Sequence, residues 1–362
     1  MLASRSGSID CSPSRLHCSI QSCPNFGFDR KVVVFRNDDT NAALAAAQSI
    51  VAQSIYSALC APLIAGETVL GVLYIDFQLS RGSINEEDAQ LAAQIARVAA
   101  IKLESTRLRE AALEKGKLDE AFKLARSIQM RMLPQKLPLP APGALFDVAA
   151  AIRPAIEVGG DFYDFHATAD SKVYVCIGDV PGKGIPAALM MAVSRALLRS
   201  LTLSGLEPAA ILGAVNRQLC DESDPSMFVT AFCALLDLAT GELRYANAGH
   251  NPPLIASAGG SVRMLETRPG IVLACLPKFQ YAQESTTLAR GDILYLYANG
   301  ISEAADRKEE MFGMERLKET VGRIAANGSH AIATATLANV DAFVGDAPQS
   351  DDLTLLCLRY SG

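Results

Sequence analysis

The chain has 362 residues and a formal net charge of −6; half of its residues are hydrophobic and a fifth are charged. That size admits two domains, and that balance is ordinary for a soluble globular protein and excludes wholesale binding to nucleic acid or an anionic membrane. No apolar run approaches the roughly 20 residues needed to span a bilayer, and the opening MLASRSGSIDCSPSRLHCSI lacks the apolar core of a secretory signal.

Nine cysteines are scattered along the chain. Cys176, Cys233 and Cys357 lie in apolar, strand-like runs and read as reduced thiols of a cytoplasmic protein. Cys11, Cys18 and Cys23 cluster near His17, with no fourth ligand at zinc spacing.

In chain order, residues 1–30 are rich in Ser, Cys, Pro and Arg without periodicity and are expected to be disordered. Residues 31–105 predict a small α+β domain. Within it, 31–35 is a short strand candidate and 39–53 has an alanine-rich, helical composition. The apolar runs 57–64 and 68–76 flank Ala65-Gly66-Glu67, a hairpin signal. Ser83 and Glu86 form a capping-box pattern, and Leu91, Ile95 and Val98 mark one face of the helix that follows. The pattern continues as a helical linker over 106–133. Leu108, Ala111, Lys115, Leu118, Phe122, Ala125 and Met132 recur at spacings of 3 and 4 or their sums, which predicts a coiled-coil seam, weakened by Lys115, that pairs two copies in a homodimer. Pro134, Pro138, Pro140 and Pro142, with Gly143, then end the helix and mark the clearest domain boundary.

Residues 145–362 form the second domain. Strand candidates at 149–152, 173–177, 232–238, 242–246, 292–298 and 353–358 outnumber the helical runs at 185–201 and 208–221. Ala239-Thr240-Gly241 reads as a hairpin turn. The fold class is therefore α+β, with mainly antiparallel sheets and helices outside.

Acidic or amide residues end several of these strands. Asp161 follows Gly159-Gly160, Asp179 follows Gly178, Asn299 precedes Gly300, and Asp351-Asp352 opens the last strand. Two readings stay open for each turn taken alone. Asp caps such turns routinely; it also supplies an anionic oxygen to a hard cation, while glycine lets a carbonyl approach the same ion. Carboxylates gathered together repel and raise one another's pKa unless a cation offsets them. An all-oxygen set suits Mg²⁺ or Mn²⁺, whereas zinc prefers Cys or His.

Eight segments then fall in a characteristic order. They are 124–129 with Met132-Leu133-Pro134, Glu157-Val-Gly-Gly-Asp-Phe-Tyr-Asp164, Gly178-Asp-Val-Pro-Gly-Lys-Gly184 with 186–189, Phe228-Val-Thr-Ala231, Tyr245-Ala-Asn-Ala-Gly-His-Asn-Pro-Pro253, Gly291-Asp-Ile-Leu-Tyr-Leu-Tyr297, Asn299-Gly-Ile-Ser-Glu-Ala304 and Gln349-Ser-Asp-Asp-Leu-Thr354. Together they resemble a PPM-type (type 2C) bacterial protein serine/threonine phosphatase of the sporulation stage II protein E and sigma-factor-regulator branch, over residues 124–362. The runs 57–63 and 70–76, with the helix from Glu86, resemble the C-terminal half of a GAF domain, here a partial one over 31–105.

The resemblance implies an αββα sandwich of two antiparallel sheets with a two-ion Mg²⁺ or Mn²⁺ site at one edge. Asp179 would bridge the ions, the Val180 carbonyl would help hold one, Asp161 would bind directly or through water, and Asp351 would be the ligand of the terminal pair, with Asp352 beside it. A metal-bound hydroxide would hydrolyse phosphoserine or phosphothreonine on a regulatory protein of the anti-sigma-factor-antagonist type. The GAF-like part reads as structural or dimerising rather than as a small-molecule sensor.

One position departs from the pattern: Asn299 stands where the family carries Asp. Its neutral oxygen weakens the second ion's site, so the alternative is a catalytically weakened or inactive binding protein. His250 reads either as a general acid or phosphate contact, or as a histidine that orders its loop, and the loop-ordering role is preferred. Lys183 is left open between a phosphate contact and an exposed turn residue. Arg195 and Arg199, at i and i+4, read as a solvated helix face. The linker helix enters the phosphatase at 128–133, where a shift in its packing would move the Asp161 and Asp179 turns relative to each other.

Overall fold

The computed structural model describes residues 7–11, 16–21, 30–36, 57–77, 84–134, 144–222 and 226–362. The expected 39–53 helix, Ser83 and Pro138–Pro142 lie outside these residues. The chain divides into two compact units, Met1–Asp119 and Glu120–Gly362.

The first unit holds a five-stranded antiparallel sheet of order β1-β2-β5-β4-β3, built from β1 (Gly7–Cys11), β2 (Leu16–Gln21), β3 (Val33–Arg36), β4 (Ser57–Ala65) and β5 (Thr68–Phe77). The β4–β5 hairpin turns at Gly66, whose φ of 57° suits a residue without a Cβ. Strands β1 and β2 correct two expectations. The segment 1–30 is not wholly disordered, and the GAF-like part is not confined to residues 31–105, because β1 and β2 join its sheet. Composition misled because pairing is carried by backbone groups, and β2 pairs with β5 from Leu16–Phe77 to Gln21–Val72.

Helix α1 (Glu86–Met132) follows. Its reciprocal cap is made by Asn85 and Asp88: Asn85 N donates to Asp88 Oδ2 at 2.9 Å and Asp88 N donates to Asn85 Oδ1 at 2.8 Å. The capping logic expected at Ser83 thus operates two residues later. Ala89, Ala92, Ala96 and Ala100 pack on Leu59, Ala61, Leu63 and Leu73, small residues that let helix and sheet approach closely. Leu91, Ile95 and Val98 point away and stand exposed.

The second unit contains two five-stranded antiparallel sheets. One has the order β13-β10-β9-β8-β7, from β7 (Phe162–Ala167), β8 (Lys172–Asp179), β9 (Thr230–Asp237), β10 (Glu242–Ala248) and β13 (Glu284–Thr287). The other has the order β12-β11-β14-β15-β6, from β6 (Phe146–Arg153), β11 (Leu254–Ala256), β12 (Val262–Met264), β14 (Ile293–Tyr297) and β15 (Leu353–Tyr360). Alternation along β14 and β15 shows how the layers stack. Leu294, Leu296, Leu356 and Leu358 join the core with Val175, Ile177 and Phe232 of the first sheet. Ile293, Tyr295, Leu355 and Cys357 face the opposite side, under helices α5 (Gly313–Ile324) and α6 (Ser329–Val344). A strand covered on both faces reads as a continuous apolar run, as β15 does. Helices α2 (Ile185–Leu203) and α3 (Pro208–Glu222) cover the first sheet; α2 turns Met190, Met191 and Leu198 into that core. Cys176, Cys233 and Cys357 are buried free thiols.

Candidate active site

Asp161 and Asp179 meet at the open end of the β7–β8 hairpin. Phe162 pairs with Gly178, so the next position out sets the two acids opposite each other. Close approach demands glycine here: a Cβ on Gly178 would fall 2.5 Å from Phe162 Cζ, and one on Gly160 would fall 2.1 Å from the Val180 carbonyl oxygen. Val180 N also donates to Gly160 O at 3.3 Å, which ties the two acidic turns together.

The second sheet brings the remaining candidates to the same rim. Asp351 and Asp352 lead into β15, and Asn299 begins the short helix α4 (Asn299–Ser302) at the end of β14. A Cβ on Gly300 would lie 2.0 Å from Asp352 O and 3.3 Å from Asp351 Cβ, so these two segments abut. Asn299 Oδ1 accepts from Gly300 N at 3.0 Å, so this oxygen is already engaged.

Asp352 is turned toward backbone rather than toward the other acids. Its Oδ1 accepts from Ala155 N at 2.8 Å, and its Oδ2 accepts from Gly160 N at 3.0 Å and Asp161 N at 3.5 Å. Asp351 Oδ1 in turn accepts from Asp352 N at 2.8 Å. The terminal pair is therefore split: Asp352 clamps the loop that carries Asp161, and Asp351 faces the rim.

The electrostatics follow from burial and like charge. Asp161 is 3% exposed, and burial followed by the Asp179 charge holds its carboxyl well above the usual range. Asp179 is raised to about 6 by burial and by the Asp351 charge. Burial also raises Asp352, against the backbone N–H groups that favour its ionised form.

Among the described residues, no three His, Cys, Asp or Glu side chains are gathered as a ready metal cage. The donor chemistry nevertheless fits hard cations. Asp161 Oδ2 is buried and finds no hydrogen-bond donor among the described residues. The rim offers Asp161, Asp179 and Asp351 carboxylates, and all of its donors are oxygen.

The neighbouring residues order this rim. Thr230 Oγ1 lies 2.8 Å from His250 Nδ1 and 3.4 Å from the Asp179 carbonyl oxygen. Asn247 pins the His250 loop from both sides, accepting from His250 N at 2.8 Å and donating to His250 O at 2.8 Å. Burial pushes the imidazole down to about 4, so His250 is neutral and internal. Lys183 Nζ donates to Ser350 O at 2.6 Å, joining the turn after Asp179 to the loop before Asp351. Beside Asp351 opens a cleft of about 250 Å³ bordered by Arg153, Asp341 and Gln349.

The solvated-face reading of Arg195 and Arg199 is corrected. Both reach under the rim to buried Asp164, with Arg195 Nη2–Oδ2 and Arg199 Nη1–Oδ1 each at 3.0 Å. Arg199 Nη1 also donates to Phe165 O at 2.6 Å. The i, i+4 spacing was seen in the sequence, but the carboxylate that both residues share lies on another element, β7.

Residues 169–361, over half of the chain, match the family described as stage II sporulation protein E (SpoIIE). The chain belongs to this family. Residues 13–103 match the GAF domain, so this SpoIIE-family chain carries an N-terminal GAF domain. Phosphoserine phosphatase RsbU of Bacillus subtilis (strain 168) is 32% identical over 182 residues, which cover 50% of this chain and 53% of RsbU. Phosphoserine phosphatase RsbP of the same organism is 26% identical over 185 residues, covering 50% and 44%. The SiaA-PP2C domain of Pseudomonas aeruginosa has a TM-score of 0.60 at 26% identity, covering 69% of this chain and 99% of that one. The RsbU and RsbW domains of Rv1364c from Mycobacterium tuberculosis have a TM-score of 0.54 at 28% identity, covering 60% and 62%. The α+β sandwich of this family member is thus a PP2C-type fold. The chain spans about half the length of the curated relatives it matches.

Proposed function

We propose that this protein is a serine/threonine phosphatase that hydrolyses phosphoserine or phosphothreonine on a regulatory protein with the aid of two Mg²⁺ or Mn²⁺ ions. The observation that carries this reading is the Asp161–Asp179 pair, two buried carboxylates set against each other with Asp351 nearby and, among the described residues, no cationic side chain to offset them. Divalent ions held by Asp161, Asp179 and Asp351, with the Val180 carbonyl, would neutralise that charge, orient phosphate oxygens and activate water. The chain's own residues fix the geometry. Asp352 holds the Asp161 loop, Val180 N bonds Gly160 O to couple the two turns, and Lys183 joins their outer edge to Ser350. The phosphoserine phosphatase names of RsbU and RsbP support the substrate class. A regulatory phosphoprotein of the anti-sigma-factor-antagonist type is the partner inferred from the same likeness. We also infer that two copies pair along α1, because Leu108, Leu118 and Met132 of the predicted seam stand exposed; a monomeric sedimentation profile would refute that pairing.

The deciding experiment is hydrolysis of p-nitrophenyl phosphate and of a phosphoserine peptide by the pure protein across a Mn²⁺ titration. Turnover that requires Mn²⁺ and disappears in Asp179→Asn is expected. A second reading, a weakened phosphatase that chiefly binds its phosphorylated partner, rests on Asn299, which brings no charge and whose Oδ1 is engaged by Gly300 N. Partner binding without turnover at any Mn²⁺ concentration would establish it in place of the first.

A further inference from the structure

We propose that Gln129 is a positioning residue for the acidic rim: its side-chain amide holds the Gly159-Gly160-Asp161 turn in the conformation that receives the divalent ions. The inference rests on the metal-dependent reading above and assigns a role to a residue outside the rim. Gln129 lies in the last turn of α1, 5% exposed. Its Nε2 donates to Gly159 O at 2.6 Å, and its Oε1 accepts from Gly159 N at 3.2 Å. Both polar groups of one backbone residue are thus held by one side chain. A two-point contact fixes the orientation of the flanking peptide planes as well as the position of the turn.

The opposite side of the turn is closed by Asp352 and Val180. A Cβ on Gly159 would fall 1.9 Å from Asp352 Oδ2, and one on Gly160 would fall 2.1 Å from Val180 O. Neither glycine has a positive φ, so close approach and not backbone conformation requires them. The turn therefore sits in a vice, with Gln129 on one jaw and Asp352 with Val180 on the other. Asp161 is the next residue, and its position relative to Asp179 is set by how this turn is held.

The chemistry of the contact is specific to a primary amide. A buried amide is costly unless both its donor and its acceptor are matched, and the two bonds to Gly159 do that. Glutamate would keep an acceptor for Gly159 N, lose the donor to Gly159 O and add a negative charge near an already crowded set. Methionine would keep length and volume and lose both bonds.

The test uses the full chain and Mn²⁺ alone, with binding read from the electron paramagnetic resonance signal of the free ion, and phosphatase rate measured separately against Mn²⁺. Gln129→Met and Gln129→Glu are compared with Arg131→Ala, an exposed neighbour on the same helix. We expect Gln129→Met to bind Mn²⁺ about tenfold more weakly or worse. Its Mn²⁺ requirement should rise further than its rate at saturating Mn²⁺ falls, while Arg131→Ala should match wild type. A folded Gln129→Met with wild-type Mn²⁺ affinity overturns the proposal, as does an equal loss in Arg131→Ala. Should Gln129→Met fail to fold, Gln129→Glu decides on the same criterion. Wild type without any Mn²⁺ affinity overturns the metal-dependent reading itself, a result distinct from wild-type affinity in the variants.

Discussion

Asp161 and Asp164 stand three residues apart in one motif, are buried to 3% and 4% exposure, and have opposite surroundings. Asp164 is embraced by Arg195 and Arg199, and both guanidinium groups favour its charge, although burial still leaves its carboxyl raised. Asp161 sees Asp179, Asp351 and Asp352, and every one of those charges makes its own ionisation harder. The same residue type at the same depth is thus an internal tie in one place and an unsatisfied charge in the other. Burial does not tell these two carboxylates apart; the sign of their neighbours does.

The largest test of this contrast exchanges the two losses. Asp161→Asn should lower Mn²⁺-dependent phosphatase turnover on the order of 10³-fold, about 4 kcal/mol, while leaving the metal-free protein at least as stable, because it removes repulsion. Arg195→Met should do the reverse. It leaves a buried carboxylate half compensated and should lower unfolding free energy by about 3 kcal/mol, with Mn²⁺ affinity kept in the folded fraction. Denaturant melts and rate assays on both variants check the pair, and coincident losses in both properties for both variants would erase the distinction.

A smaller test concerns His250, whose imidazole is neutral and internal. The folded pKa is about 4 against an ordinary value of 6.5. The unfolded chain therefore takes up a proton that the folded form refuses. The resulting stability is complete above pH 6.5 and disappears as pH falls to about 4, a span worth about 3 kcal/mol. His250→Gln should flatten that slope when wild type and variant are melted side by side from pH 7 to 4; parallel curves would contradict it. The smallest effect is expected from Asn299→Asp, which adds one more acid to the rim. It should lower the Mn²⁺ concentration for half-maximal rate about tenfold, about 1.4 kcal/mol, and an unchanged requirement would remove Asn299 as the limiting residue.

The parts of this arrangement legible in the sequence are those whose chemistry is local. The glycine turns before Asp161 and Asp179, the hairpin at Gly241 and the apolar run of β15 each announce themselves within a few residues. Features defined by a distant partner do not. Asp352 looks like a twin of Asp351 until its oxygens are found on Ala155 and Gly160, and Arg195 looks solvated until Asp164 is placed opposite it. Helix α1 shows the same limit: Leu91, Ile95 and Val98 signal an apolar face, yet the alanines on another face carry the packing. Gln129 was visible inside its motif, but no local signal tells a clamp from a surface amide.

The Asp352 clamp also bears on the order in which this unit folds. Its acceptors and their donors are separated by 191 to 197 residues of chain. Contacts of such sequence separation form late, because closing the intervening loop costs entropy before any bond rewards it. The rim is therefore expected to assemble only once β15 has paired with β6. A partly folded chain, however rich in native strands, should therefore lack the assembled acidic rim, so Mn²⁺ binding at that rim is expected to report that this unit has finished folding.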